Sequence, residues 1–581
     1  MLRSQEGFRQ GCRAGSFGFA LTTHSTLITL SKEFPRVNIA AILDDVTFSG
    51  LAQEVFRVFA RLQDLLKQNE LGLTLNKRKC CVLLGSEGLT PLICAMKWKH
   101  HLPHVKGTLE LLGTVVGRSE PSIESFVENK FRLWEPVLDL MLASDMPMQI
   151  TLLLARSLSQ RAVYDVRSLP PDLTFTATDS LDRKVKTTTE KKLGLSFDND
   201  LSSFMLKAPF RQGGLGFTSL KEIRVPAFLA SAYLTLKASK KGTVLRMLPR
   251  HKLERLPTML KVESELRTLS PEQLRAVNWP SPCSLTTFVS RAKRDKDKQP
   301  ELQSKLQCVL AETEWSNMYE AGTVEQKAHL NARLNPFASC ALKPIRSLLT
   351  EQHRINDFQT QSLVAHATMK NPWNVPDTCE CRAALTPTHA LCCKQGSSAW
   401  LHRHNTLQHT VAGFARKQGL SVEANERKTF EDAQQKSKSL EPDLIIHFPE
   451  GPLWVDLSVT EPTAPSLVRN NCFEVGAAMN IRAATKNTKY LSKARSVGAD
   501  FSPLVVETHG RFHNSFLTLL KRLAGQLNGQ ADGHHGLSAT EMAAQINLDL
   551  VKGNAAHAAK VISRAWKALH RSKRQQRAGL S

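Results

Sequence analysis

Ala41-Ile42-Leu43-Asp44-Asp45-Val46 sets two adjacent carboxylates between an apolar run from Val37 to Leu43 and a second from Val46 to Phe48. Short β-prone runs that meet at an Asp-Asp corner predict a hairpin with its acids at the tip. A hairpin tip holds a carboxylate still, and Mg²⁺ takes oxygen ligands in near-octahedral geometry. An isolated Asp-Asp pair is more commonly a solvated turn. The neighbouring sequence therefore decides what this pair means.

At 581 residues the chain is too long for one core, so an α/β (α+β) multidomain protein is expected. Hydrophobic residues make up 41% and charged residues 22%, which excludes a disordered chain. Lys and Arg outnumber Asp and Glu by 77 to 53, a formal net charge of +24. That excess suits a polyanion, and nucleic acid is the first candidate because neutralised phosphates release counterions. No apolar run has the length of a membrane span, so no membrane partner is expected. The N-terminal residues lack the apolar stretch of a signal peptide. Twelve cysteines in so long a chain form no disulfide framework, and four of them lie between Cys379 and Cys393.

Downstream of the Asp-Asp corner, Val55, Val58, Phe59, Leu62 and Leu65 recur at helical spacing up to Gly72. Lys79, Cys80 and Val82-Leu83 follow as a basic turn into a strand, and Leu111 to Gly117 predicts a strand pair around Gly113. From Pro121 to about Pro282 the pattern is helical, with a glycine turn at Gly213-Gly214-Leu215-Gly216. Arg291 to Lys298 is charged and aperiodic, and is expected to be an exposed linker.

Gln10-Gly11, Leu43-Asp44-Asp45-Val46, Gly72-Leu73-Thr74-Leu75-Asn76 with Lys79, and Leu112-Gly113 resemble, in order and spacing, the palm motifs of non-LTR retrotransposon reverse transcriptases. The resemblance implies that Gln10 and Gly11 lie against template and incoming nucleotide. It implies that Asp44, with Asp45 beside it, holds catalytic Mg²⁺ or Mn²⁺, and that Lys79 belongs to the following palm motif. Two-metal phosphoryl transfer needs a further carboxylate to bridge the ions. The family carries it upstream of the Gln-Gly motif, and the nine residues before Gln10 offer only Glu6. An N-terminally truncated, incomplete polymerase site is the expectation.

Cys379-Glu380-Cys381, then His389 and Cys393, supply three thiolates and one imidazole, a set suited to tetrahedral Zn²⁺. The alternative is a pair of thiols with an incidental histidine, and Cys392 competes for the fourth position. The cluster precedes Arg403-His404-Asn405, and the order resembles the Cys-Cys-His-Cys knuckle and restriction-like endonuclease of site-specific non-LTR retrotransposons. The resemblance implies nucleic-acid contact at Arg403 and His404.

Glu441-Pro442-Asp443-Leu444-Ile445-Ile446-His447-Phe448 and Leu453-Trp454-Val455-Asp456-Leu457-Ser458-Val459-Thr460 predict two strands joined by a turn at Pro449-Glu450-Gly451-Pro452. Pro442 opens the first strand, where a missing N–H costs least. A hairpin of this length brings Asp443 and Asp456 together, and both can serve one Mg²⁺ that lowers the pKa of a bound water. The pattern resembles Pro-Asp…Asp/Glu-x-Lys nucleases, with Ser458 where the lysine usually stands. The retrotransposon branch carries that lysine on the following helix, which implies Lys486 or Lys489, with Lys489 narrowly preferred. Two solvated acids followed by a basic surface helix is the plainer alternative.

The resemblance divides the chain into a partial palm (1–120), a helical thumb and post-thumb (121–282), a linker and helical region (283–370) and a Cys-His zinc knuckle (371–410). A restriction-like endonuclease domain (411–530) and a basic C-terminal tail (531–581) complete it. The function implied is target-site nicking and target-primed reverse transcription in the nucleus, with a DNA target and a template RNA as partners. The rival is a catalytically inactive nucleic-acid-binding relic of a retroelement.

Overall fold

The computed structural model describes residues 15–42, 45–68, 75–76, 80–83, 104–106, 108–117, 119–238, 252, 254–294, 301–343, 354–372, 374–426, 428–431, 437–527 and 537–578. Gln10, Gly11, Asp44 and Lys79 lie outside these residues. The fold is mixed α and β, dominated by helix. Among the described residues no helix is long and apolar enough to cross a membrane. The chain divides into two units, Met1–Phe126 and Val127–Ser581.

In the first unit α1 (Gly15–Glu33) leads into the antiparallel pair β1 (Asn38–Ile42) and β2 (Asp45–Ser49), and α2 (Ala52–Gln68) follows. The pairing Ile42↔Asp45 closes the expected hairpin, and Asp45 is exposed at its end. Leu30, Val37, Val58 and Leu62 bury a small core between the two helices and this hairpin. A two-pronged Arg61–Glu33 contact, both bonds 2.9 Å, fastens α2 to α1 at the surface. Strand β3 (Cys81–Leu83) pairs in parallel with β4 (His104–Lys106). β5 (Thr108–Leu111) and β6 (Thr114–Gly117) form the second expected hairpin. Its turn has φ of 52° at Leu112 and 77° at Gly113. Two consecutive positive φ values match the strand twist of a two-residue turn, and glycine meets the second at no steric cost.

The second unit begins with helices packed on one another, among them α3 (Met148–Ser168), α4 (Pro171–Leu193) and α5 (Leu220–Ala238). The segment from Arg291 departs from the expected linker. Residues Leu285–Arg294 form α6, with Phe288, Val289 and Ala292 buried against α5 and its neighbours. The charges of Arg291 to Arg294 ride on the outer side of an amphipathic helix whose apolar stripe lies mostly N-terminal to them. Residues 295–298 are outside the described set.

The glycine turn at 213–216 acquires a structural reason. Arg333, at the end of α7 (Val324–Arg333), is fully buried and donates to the Gly213 carbonyl at 2.8 and 2.6 Å and to Ser339 Oγ at 2.8 Å. A Cβ on Gly213 would stand 2.1 Å from the Arg333 carbonyl oxygen, and its φ is +74°. Desolvation pulls the guanidinium pKa down to about 9.

Beyond α8 (Asp357–Thr368) come α9 (Pro387–Cys392) and α10 (Ser397–Lys417). A four-stranded sheet then runs in the order β12-β11-β10-β7, with β7 Ser421–Ala424, β10 Leu444–Phe448, β11 Gly451–Thr460 and β12 Asp500–Glu507. A separate small hairpin joins β8 (Lys428–Glu431) to β9 (Ser437–Leu440). β10 and β11 are antiparallel with Leu444 opposite Val455, while β11 and β12 are parallel. The parallel connection is carried by α11 (Ala477–Ser496). Leu444, Ile446, Val455, Leu457, Leu504 and Val506 face one core, covered by α10, α12 (Asn514–Leu527) and α13 (Ala539–Ala578). Ile445 and Trp454 face the other side and pack on Ala494 of α11 and on Ala499. Successive side chains of a strand point to opposite faces, so Asp456 and Ser458 share the α11 face with Trp454.

Within the expected basic C-terminal tail (531–581), Ala539–Ala578 form α13. Met542, Ala543, Ile546 and Leu550 belong to the sheet core, and Ala558, Val561 and Ala565 pack against Leu385, Ala390 and Leu391 beside the cysteine cluster. Small and apolar residues at helical spacing precede the Lys and Arg of its last turns, an amphipathic pattern that the sequence shows.

Candidate functional site

The hairpin β10–β11 presents both acids of the proposed nuclease constellation. Asp443 precedes β10, and its Oδ2 accepts the Leu457 amide at 2.5 Å. Its Oδ1 stands 3.2 Å from His404 Nε2 on α10. Gln408, one turn further along α10, donates to the Asp443 carbonyl at 2.5 Å and to Asn425 Oδ1 at 2.8 Å. Two amides thus hold the backbone and one carboxylate oxygen of Asp443 in place.

Asp456 is buried on β11 and forms an ion pair with Lys486 of α11. Arg482, one turn earlier, donates from Nε to Ser458 Oγ at 2.9 Å. Tyr490, one turn later, is buried, and its hydroxyl donates to the Glu441 carbonyl at 3.3 Å. Burial and the nearby Asp456, Asp443 and Glu441 push the Tyr490 hydroxyl far above its usual range, so it stays protonated. Positions 482, 486 and 490 lie four apart, hence on one helix face, and that face covers the Asp456–Ser458 edge of β11. Lys489 donates to the Tyr490 hydroxyl at 2.8 Å. Of the two candidate lysines, Lys486 is therefore the partner of Asp456, against the narrow preference for Lys489. The i, i+4 series Arg482, Lys486, Tyr490 is the signal that separates them.

An open cleft of 630 Å³ runs along this edge, with His404, Ser458, Arg482 and Lys486 among its walls. Among the described residues Asp443, Asp456 and His404 do not form a group with all ligand atoms within 4.8 Å of one another; two other groups do. Arg403 also borders the cleft but is buried. Its Nη1 donates to Asn554 Oδ1 at 2.6 Å, and its stem packs on Gly553 of α13, where a Cβ would stand 2.5 Å from Arg403 Cγ. Burial lowers its pKa to about 10. Arg403 ties α10 to α13 and at the same time borders the cleft.

The first ligand group is Cys379, Cys381, His389 and Cys393. Cys379 Sγ lies 3.7 Å from Cys393 Sγ, Cys381 Sγ lies 3.8 Å from Cys393 Sγ and 3.2 Å from His389 Nε2. A tetrahedral ion with Zn–S bonds of about 2.3 Å spaces its sulfurs by about 3.8 Å. The donor set and the sulfur spacing fit, so the cluster could hold a metal such as zinc. Thr386 caps α9 by accepting the His389 amide at 3.0 Å, which fixes the turn that carries the imidazole. Arg382, at φ 71°, reverses the chain so that the Cys379 amide donates to the Ala383 carbonyl at 2.9 Å. Cys392 turns away from the cluster to the cleft wall, and burial pushes its thiol up to about 11. His557 of α13 touches the Cys393 carbonyl at 3.1 Å, and Arg571 pairs with Glu380 at 2.8 Å. α13 therefore straps the cluster to the sheet.

The second group, His366, Glu461 and His509, is fully buried and was not anticipated from sequence. Its members come from α8 and from the turns just after β11 and β12, and no local spacing joins them.

No protein-family model matches the chain, and no curated protein matches it.

Proposed function

We propose that the chain is a retroelement-derived protein whose second unit nicks DNA in a metal-dependent reaction, with the first unit carrying palm motifs of a reverse transcriptase. The observation that carries this reading is that Lys486 pairs with Asp456 while the amide of the next residue, Leu457, holds the Asp443 carboxylate, and that Leu457, Ser458 and Lys486 border an open cleft. Asp443 and Asp456 are the carboxylates that would hold Mg²⁺, which commonly binds through one or two carboxylates plus phosphate oxygens and water. An ion held there would supply Lewis-acid chemistry, toward a phosphate oxygen and a bound water.

The chain's own residues have separable tasks. The Leu457 amide and Gln408 keep Asp443 oriented. Lys486 neutralises Asp456 and stands on the cleft wall, where its charge meets a phosphate that enters. Arg482 adds a second cation on the same wall. The formal net charge of +24 favours a polyanionic substrate. The Cys-His cluster, strapped by α13, is read as a zinc knuckle that stiffens the approach to the cleft.

Relaxation of supercoiled DNA in Mg²⁺ tests this. Wild-type protein is expected to nick, and Asp443→Ala and Asp456→Ala are expected to leave no activity above background. Equal behaviour of all three would favour the rival reading, a binding protein that has outlived its active site.

A further inference from the structure

We propose that the C-terminal half of α13 is a docking surface for duplex DNA, in which a straight row of Lys and Arg side chains takes successive backbone phosphates. This surface is independent of the nuclease reading.

The row is Lys560, Arg564, Lys567, Arg571 and Arg574. Steps of four and three residues alternate along it, which keeps the five within about 80° of the helix circumference, in a line roughly 21 Å long. Among the described residues only Arg571 of the five has an ion-pair partner, Glu380 at 2.8 Å. Lys560 and Arg564 donate to neutral groups, Ser398 Oγ and Gln395 Oε1, and so keep their charge.

A solvated helix face is the plainer reading, and two observations stand against it. Solvated basic faces carry acids three or four residues away, which offset the repulsion of cations at that spacing. From Leu550 to Ser581 the sequence holds eight Lys and Arg and no Asp or Glu. Repulsion along the row is therefore unrelieved within α13, and a polyanion relieves it as counterions are released. The helix dipole, the second ordinary reason for cations at a helix end, acts within the last turn. Lys560, Arg564 and Lys567 lie three or more turns before the end at Ala578.

The shape of the helix end selects the partner. Every side chain from His570 to Gln576 is exposed, and Arg571 and Lys573 stand about 160° apart around the axis. A helix about 10–12 Å across fits the B-DNA major groove, about 12 Å wide, with a cation toward each wall. The deep, narrow major groove of A-form RNA does not admit it. Single strands are bound through aromatic rings set among the cations. The row has none, and Trp566 lies off it, stacked on His570. At its inner end the row meets the head of α10 through Lys560 and Ser398, and α10 carries Trp400 and His404 to the wall of the open cleft. The two surfaces thus adjoin.

The test measures binding of the full-length protein to a DNA duplex, without added Mg²⁺, as a function of salt. Lys560→Gln/Lys567→Gln/Arg574→Gln removes three cations of the row, and glutamine keeps the helix propensity. Arg183→Gln/Arg267→Gln/Arg275→Gln is the control, with the same change in net charge at exposed positions on other helices. The row variant is expected to reduce the slope of log K against log salt by about 2.7 and to bind at least about tenfold more weakly, while the control keeps the wild-type slope. Lys567→Gln/Arg574→Gln, confined to fully exposed positions, should reduce the slope by about 1.8. Asp443→Ala is expected to bind as wild type does, so a failure of nicking leaves this surface standing. A slope that stays at the wild-type value in both row variants, or that falls as far in the control, overturns the proposal. A loss seen with single-stranded RNA and not with duplex DNA overturns it too.

Discussion

Lys486 on α11 and Asp456 on β11 form a largely buried ion pair; their side chains are 17% and 4% exposed. The pair joins the two elements that frame the cleft, and it distinguishes one lysine from its neighbour. Lys486→Met leaves the Asp456 charge buried and unpaired, a loss of about 3 kcal/mol. It should lower nicking by about 100-fold through lost charge stabilisation. Lys489→Met should stay within about 0.5 kcal/mol of wild type. Urea unfolding and plasmid nicking measure both, and Lys486→Met with Asp456→Asn should regain stability but not nicking.

Chelation acts on more than the knuckle. α13 packs Ala558 and Val561 beside Cys379 and Cys393, and His557 touches the Cys393 carbonyl. Loss of zinc, or Cys379→Ser, should lower the thermal midpoint by roughly 5 °C or more and expose α13 to proteolysis. An unchanged midpoint after complete metal removal would show that packing alone holds the cluster.

Arg403 gives a test that separates tie from contact. Arg403→Ala removes the bond to Asn554 and the stem packed on Gly553. A stability loss of about 2 kcal/mol is expected. The salt dependence of DNA binding should not change, because a buried guanidinium releases no counterion. A shallower salt slope would mean that Arg403 reaches phosphate.

Gly213 and Arg333 make a mutual constraint. Gly213→Ala puts a methyl 2.1 Å from a backbone oxygen at positive φ. The clash has no flexible partner to relieve it, so a loss above about 3 kcal/mol and a sharp fall in soluble yield are expected. Arg333→Met should cost about 3 kcal/mol, since it removes both guanidinium bonds to the Gly213 carbonyl, leaving it only the Ser339 hydroxyl, and takes away the donor of Ser339 Oγ. Denaturant midpoints of the two variants check both values.

Asp182 supplies a pH dependence. It accepts the Leu220 and Lys221 amides and the Ser219 hydroxyl at the start of α5, yet desolvation raises its carboxyl to about 6 from an ordinary 3.8. A raised folded pKa gives stability that is full below pH 3.8 and is lost as pH rises through 6. Relative to Asp182→Asn, wild type should thus weaken across that window, by no more than about 1.4 kcal/mol per pH unit. Unfolding curves of both proteins at pH 4 and pH 7 decide it.

Local pattern made several elements legible. The Asp44-Asp45 corner, Leu111 to Gly117 and the run from Leu444 to Thr460 all announce hairpins, because turn chemistry and alternation act over a few residues. Cys379, Cys381, His389 and Cys393 could be read as one cluster because a short loop must hold them. The buried roles were less visible. Charge at Arg291 masked an apolar stripe that only packing reveals.

Short-range content is thus legible in the residues alone: where the hairpins turn, which thiols cluster, and that the net charge is strongly positive. Tertiary structure alone decided which lysine meets Asp456, why Gly213 must be glycine, and that His366, Glu461 and His509 share one buried space. Each of these joins residues far apart in the chain. Spacing carries no information about them, because their proximity follows from how separate helices, turns and strands dock on one another.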